Sequence, residues 1–86
     1  MEIDFIGRAI DDIEYWKRTG NVSLQKRIAK LLTIVSKTPY SGIGKPEQLK
    51  HDLSGYWSRR INNEHRLVYR VKDKRVKVIS LRYHYF

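Results

Sequence analysis

Apolar Ile3 and Phe5, with polar residues between them, predict a short strand over residues 1–5. The period then lengthens. Ile6, Ile10, Ile13 and Trp16 recur at the three- and four-residue spacing of one helix face, and Gly20 and Asn21 mark the stop after a helix ending near Arg18. Leu24, Ile28, Leu31, Leu32 and Val35 form a second stripe. It predicts a helix from about Ser23, the expected N-cap, to about Lys37, closed by Pro39. Two such helices joined by a few residues make an antiparallel pair able to cover a sheet.

Residues 38–55 hold Pro39, Pro46, Gly42, Gly44 and Gly55 and read as irregular chain. Gly42, Gly44 and Lys45 hint at a phosphate cradle, but they match neither GxxxxGK[ST] nor GxGxxG. From Tyr56 onward the period is two. Residues 56–61, 65–71 and 76–85 predict three strands of an antiparallel meander, with turns at Asn62 to Glu64 and Asp73 to Arg75. Loop length then decides which side chains share a face. A three-residue loop at Asp73 to Arg75 sets Arg66 opposite Arg82 and sorts charge from apolar residues better than a two-residue loop. Leu67, Tyr69, Val71, Ile79, Leu81 and Tyr83 then share one face, and Arg66, Arg70, Ser80, Arg82 and His84 the other. Lys77, Val68, Val76 and Val78 fall on the wrong sides of that division. The first hairpin pairs Arg60 with Arg66 and adds Trp57 and Ile61 to the apolar face.

Length and composition narrow the class. Eighty-six residues allow one domain, 1–86, with a small core. There is no cysteine, so neither a disulfide framework nor a thiolate zinc site is possible. No apolar run is long enough to span a bilayer, and Glu2 and Asp4 stand where a signal peptide carries positive charge. The expectation is a soluble cytoplasmic protein. The chain carries a net charge of +9, unevenly spread. Glu2, Asp4, Asp11, Asp12 and Glu14 against Arg8 make residues 1–14 net −4, leaving +13 for residues 15–86. A polyanion such as nucleic acid suits that larger part, and a merely solvated basic surface is the alternative.

A basic sheet face ending in His84, with a carboxylate nearby, suits phosphodiester cleavage in RNA. Attack by a ribose 2′-OH needs a base, an acid for the departing 5′ oxygen and cations for the phosphorane charge, with no metal or other cofactor. Aromatic side chains such as Tyr85 and Phe86 can stack on unpaired bases. His51 and His65 have no partners at metal-ligand spacing and read as structural or surface residues.

Three stretches carry a more specific signal: Gly-Lys-Pro-Glu-Gln-Leu-Lys-His-Asp-Leu-Ser-Gly-Tyr-Trp-Ser-Arg-Arg-Ile at 44–61, Glu-His-Arg-Leu-Val-Tyr at 64–69 and Arg-Tyr-His-Tyr at 82–85. They resemble the YoeB/Txe family, toxins of type II toxin–antitoxin systems within the RelE-like superfamily, and the likeness covers essentially the whole chain. The resemblance implies an α+β, microbial-ribonuclease-like fold: a short N-terminal strand and two antiparallel helices packed on one face of a twisted antiparallel sheet. It also implies an mRNA interferase that cuts messenger in the ribosomal A site. By the same resemblance Glu47 corresponds to the general base, His84 to the general acid and Arg66 to the phosphate-stabilising cation. Lys50 and Arg60 correspond to supporting phosphate ligands and Tyr85 to a substrate contact. The implied partners are the ribosome with its mRNA, a YefM/Axe-like antitoxin whose C-terminal segment folds on binding, a second copy of the chain, and operator DNA for the toxin–antitoxin complex. Gln48 stands where many members have Pro, and Phe86 extends the usual ending by one residue. A non-catalytic RNA- or ribosome-binding module and a protein-interaction domain for an acidic partner remain the alternatives.

Overall fold

The computed structural model describes residues 1–83, so the expected roles of His84 and Tyr85 lie outside the described residues. In order the elements are β1 (Glu2–Phe5), α1 (Arg8–Arg18), α2 (Val22–Lys37), β2 (Glu47–Gln48), a 3-10 turn (His51–Leu53), β3 (Trp57–Arg60), β4 (Arg66–Lys72) and β5 (Arg75–Ser80). The strands form one sheet in the order β1-β5-β4-β3-β2. Among the described residues only β1 departs from the antiparallel arrangement, pairing in parallel with β5. Ala9, Trp16, Ile28, Leu31 and Val35 from the helices share one buried cluster with Leu67, Tyr69, Val76, Val78 and Leu81. Both helices therefore cover one face, giving the expected α+β architecture.

The helices differ from expectation in two local ways. Asn21, not Ser23, caps α2, its side-chain oxygen accepting from the Leu24 N–H at 3.1 Å. In α1 the inward residues are Ala9, Asp12 and Trp16, while Ile6 and Ile10 from the predicted stripe are 44% and 52% exposed. An acid has thus taken an interior position in place of an isoleucine.

The first hairpin has the predicted register, Arg60 opposite Arg66 and Arg59 opposite Leu67. The second corrects it. Asp73 and Lys74 both adopt left-handed backbone conformations, φ 54° and 60°, and close a two-residue turn that pairs Lys72 with Arg75 and Val71 with Val76. Positive φ at both central residues defines the primed turn whose twist matches a hairpin. The register then shifts between Val68 and Tyr69, so that Tyr69 faces Val78 but Val68 faces Ser80. At Val68–Ser80 the alignment is the one a three-residue loop predicts, but the expected Arg66–Arg82 pair does not follow: the Arg66 N–H reaches the Tyr83 carbonyl, one residue further, at 3.2 Å. Near the turn the β5 assignments flip while those of β4 hold. Val76 and Val78 enter the core, Lys77 turns to the open face, Ile79 becomes the extra residue, and Tyr83 is 46% exposed rather than buried.

The flip gives Lys77 a partner. Asp4 is in register with Lys77 across the parallel pair, and its carboxylate accepts from Lys77 Nζ at 2.6 Å and from Arg75 at 2.8 and 2.6 Å. Arg75 also binds Glu2. Hydrogen bonds from Arg75 first, and Lys77 second, hold the Asp4 carboxyl well below the usual carboxylate range. A depressed native pKa stabilises the fold above the unfolded-state value near 4, and the contribution drains away as pH falls through the native value. Urea midpoints measured between pH 6 and pH 2 are therefore expected to fall more steeply below about pH 4 for wild type than for Asp4→Asn. Parallel curves would show that the cluster contributes nothing.

Candidate functional site

Residues in register on neighbouring strands share a face, and this rule builds the face turned away from the helices. Glu47 pairs with Ser58, and Ser58 with Val68. One step further along, Arg60 pairs with Arg66. Glu47, Arg60 and Arg66 thus stand on one open face, Glu47 lying about 10 Å from β4 across two strand spacings and about 7 Å along it from Arg66. Between them Ser58, Val68 and Ser80 are buried and short. The floor is low and the long side chains rise around it.

The groups are differently held. Glu47 is exposed and has no side-chain partner among the described residues, although Lys45 and Lys50 lie close in sequence. Lys50, exposed, opens the 3-10 turn after β2. Arg66 is half-buried, and its Nη1 donates to the carbonyls of Asn62 at 2.8 Å and His65 at 3.1 Å. That anchoring fixes the plane of the guanidinium and leaves Nε and Nη2 unbonded among the described residues. Two arginines directly opposite each other repel, so Arg60 and Arg66 are poised for an anion between them. Arg70, next along the face, lies 5.2 Å from the Tyr56 ring. Arg82 departs from the predicted face. Its guanidinium stacks 3.5 Å from the Tyr15 ring of α1.

Glu47 reaches the face because of a residue on the opposite side of the sheet. Arg59 is fully buried between Trp57 and Ile61, on the apolar face. Its Nε donates to the Tyr69 hydroxyl at 3.0 Å, Nη1 to the Ile43 carbonyl at 3.2 Å, and Nη2 to the Thr38 and Ser41 carbonyls at 2.6 and 2.7 Å. The Tyr69 hydroxyl in turn donates to the Pro39 carbonyl. Burial pushes the Tyr69 phenol upward, opposed by the neighbouring Arg59, so it stays a neutral donor. Gly42 and Gly44 serve this anchor rather than a phosphate. A Cβ on Gly42 would sit 3.2 Å from Arg59 Nη1, and one on Gly44 3.1 Å from Leu31 and 3.2 Å from Arg59 Cβ, with φ at +108° and +87°.

After Ser80 the chain leaves the strand, and side chains from α1 and from His65, just before β4, hold residues 81–83. The Leu81 N–H donates to Asp12 Oδ2 at 2.9 Å, and its carbonyl accepts from Trp16 Nε1 at 2.9 Å. Arg8 Nη2 donates to the Arg82 carbonyl at 2.9 Å, and the Tyr83 N–H donates to His65 Nδ1 at 2.8 Å. Among the described residues no three His, Cys, Asp or Glu side chains gather as metal ligands would, and no helix is long and apolar enough to cross a membrane.

A family model described as the YoeB-like toxin of bacterial type II toxin-antitoxin systems matches residues 5–85. The chain belongs to the YoeB-like toxin family. It is 51% identical to Toxin YoeB of Escherichia coli K12 over 85 residues, 99% of this chain and 100% of that one. A YoeB/ParE toxin from Agrobacterium tumefaciens superposes with a TM-score of 0.93 at 45% identity, covering 99% of this chain and 100% of the other. The YoeB-YefM complex from Staphylococcus aureus gives 0.88 at 45% identity, covering 99% and 98%.

Within this YoeB-like chain, Asp12, Trp16, Arg59 and His65 support the site without having been singled out for it in the sequence. Strict alternation from Trp57 to Ile61 did place Arg59 on the apolar face, and the Ala9, Asp12, Trp16 spacing put an acid on a buried stripe. Replacing Arg59 by Met leaves three carbonyls and a hydroxyl without their donor. The expected cost is at least about 3 kcal/mol in urea unfolding, with faster tryptic cutting at Lys45. A loss below about 1 kcal/mol would mean the loop is held by something else.

Proposed function

We propose that this toxin is a single-domain endoribonuclease, 1–86, that cleaves mRNA in the ribosomal A site through Glu47, Arg66 and His84. The supporting observation is the face turned away from the helices, which sets Glu47, without a side-chain partner among the described residues, on the same side of the sheet as Arg60 and Arg66. In this reading Glu47 takes the proton from the ribose 2′-OH as that oxygen attacks the adjacent phosphorus. Arg66, oriented beforehand by two carbonyls, meets the growing charge on the phosphorane oxygens, with Arg60 and Lys50 as further phosphate ligands. His84, bonded directly to the anchored Tyr83, gives its proton to the 5′ oxygen as the P–O bond breaks. The products are a 2′,3′-cyclic phosphate and a 5′-hydroxyl. Tyr85 stacks on a base.

The partners proposed are the ribosome and its mRNA, with the protein acting in the cytoplasm. Relatives named as a YoeB-YefM complex and a YoeB dimer, both from Staphylococcus aureus, support an antitoxin partner and a homodimer. Operator DNA is proposed as a target of the toxin–antitoxin complex. An acidic antitoxin segment would also relieve the Arg60–Arg66 repulsion.

Translation of a reporter mRNA with wild type and with His84→Gln, followed by mapping of new 5′ ends, tests the assignment. New ends are expected with wild type and a loss of 100-fold or more, roughly, with His84→Gln, Glu47→Ala or Arg66→Ala at unchanged far-UV circular dichroism. An intact message under falling translation would make the protein a binding module instead.

A further inference from the structure

We infer that His65, backed by Trp16 and Asp12, is a positioning residue that holds the C-terminal segment so that His84 meets the leaving oxygen. The inference rests on the nuclease reading above and names what sets the geometry of its acid. Two observations carry it: buried polar groups that the proposed chemistry does not use, and the backbone atoms on which they converge.

Asp12 is 3% exposed and His65 7%. A carboxylate and an imidazole in a small core cost stability unless each is fully used, and apolar residues of similar size would pack there without that cost. Each instead binds the main chain of residues 81–83. That stretch has left the sheet, so its N–H and C=O groups have lost the ladder partners a longer β5 would supply. Asp12 takes the Leu81 N–H, Trp16 gives its Nε1–H to the Leu81 carbonyl, and His65 Nδ1 takes the Tyr83 N–H. The three are one unit. The His65 ring stands edge-on to Trp16, centroids 5.0 Å apart, and packs 5.1 Å from the Tyr83 ring.

His65 holds the last point before the proposed acid. Because Nδ1 accepts the Tyr83 N–H, the ring proton of the neutral imidazole sits on Nε2, and Glu64 Oε1 lies 3.3 Å from that nitrogen. Tyr83 itself has φ +59°, a left-handed conformation that a tyrosine adopts only when its surroundings impose it. The Arg66 N–H binds the Tyr83 carbonyl, so the clamp ties the bond leading to His84 to the same residue that carries the phosphate-binding guanidinium. Acid and cation are thereby referred to one point of the backbone. A displacement of about 1 Å in such a constellation costs on the order of 100-fold in rate.

The test is single-turnover cleavage of ribosome-bound mRNA, with ribosome affinity and circular dichroism measured on the same proteins. His65→Ala is expected to cleave about 100-fold more slowly at unchanged affinity and fold. His65→Asn, whose Oδ1 can replace the Nδ1 acceptor, is expected to recover at least about tenfold of that loss. Trp16→Phe keeps the ring and removes the Leu81 contact, and it is expected to slow cleavage without affecting binding. The double variant His65→Ala/His84→Gln is expected to be no slower than His84→Gln alone, since a positioning residue has nothing left to position. Wild-type rates in His65→Ala, or losses that multiply in the double variant, would overturn the inference while the nuclease reading stood. An inactive wild type would overturn both.

Discussion

A guanidinium buried without a carboxylate decides where the site can form. Arg59 meets carbonyl oxygens and one phenol instead of an anion, so its desolvation is offset only if residues 38–43 wrap around it. An irregular loop with few apolar residues of its own is thus fastened to the underside of the sheet. The chain then leaves that anchor through Gly44, whose carbonyl accepts from the Arg60 N–H at 2.7 Å, and β2 adds to the sheet edge with Glu47 facing outward. One buried cation on the closed face sets the position of Glu47 on the open face. The same strand carries Arg60 outward, so a shift of β3 by one residue would invert all three.

Charge is sorted by the fold as well as by the sequence. Of the five acids in the first fourteen residues, Glu2 and Asp4 neutralise Arg75 and Lys77 at one end of the open face, and Asp12 is spent on the Leu81 N–H. Arg82 is drawn off onto Tyr15. Among the described residues Arg60, Arg66, Arg70 and Lys72 on this face have no ion pair, and Glu47 stands beside them. Part of the positive charge therefore lies where an anionic backbone would lie, while the cations near β1 serve stability.

Much of this was legible from period alone. Two helices, a strand meander and the Arg60–Arg66 pair follow from spacing and from a first loop of ordinary length. The second hairpin was not legible, because Asp73-Lys74 makes a two-residue primed turn without the glycine that usually marks one, and because a bulge lets two registers coexist in one strand pair. Asp12 and Arg59 were overlooked for a shared reason: a charged residue on an apolar stripe looks like an error of phase until its partners, which are backbone atoms distant in sequence, are known. Glu47 lies in a stretch without any period, so only the family motif drew attention to it. Two paired residues are too few to announce a strand.

The central claim is that this face, with the segment that follows Tyr83, cuts RNA by using the substrate's own 2′-hydroxyl. Its most direct test is a ribosome-bound message carrying a single 2′-deoxynucleotide on the 5′ side of a mapped cleavage bond. Cleavage at that bond is expected to stop while neighbouring bonds with intact hydroxyls remain open to attack. Undiminished cleavage at the deoxy position would show that water or another nucleophile attacks the phosphorus, and would contradict the account.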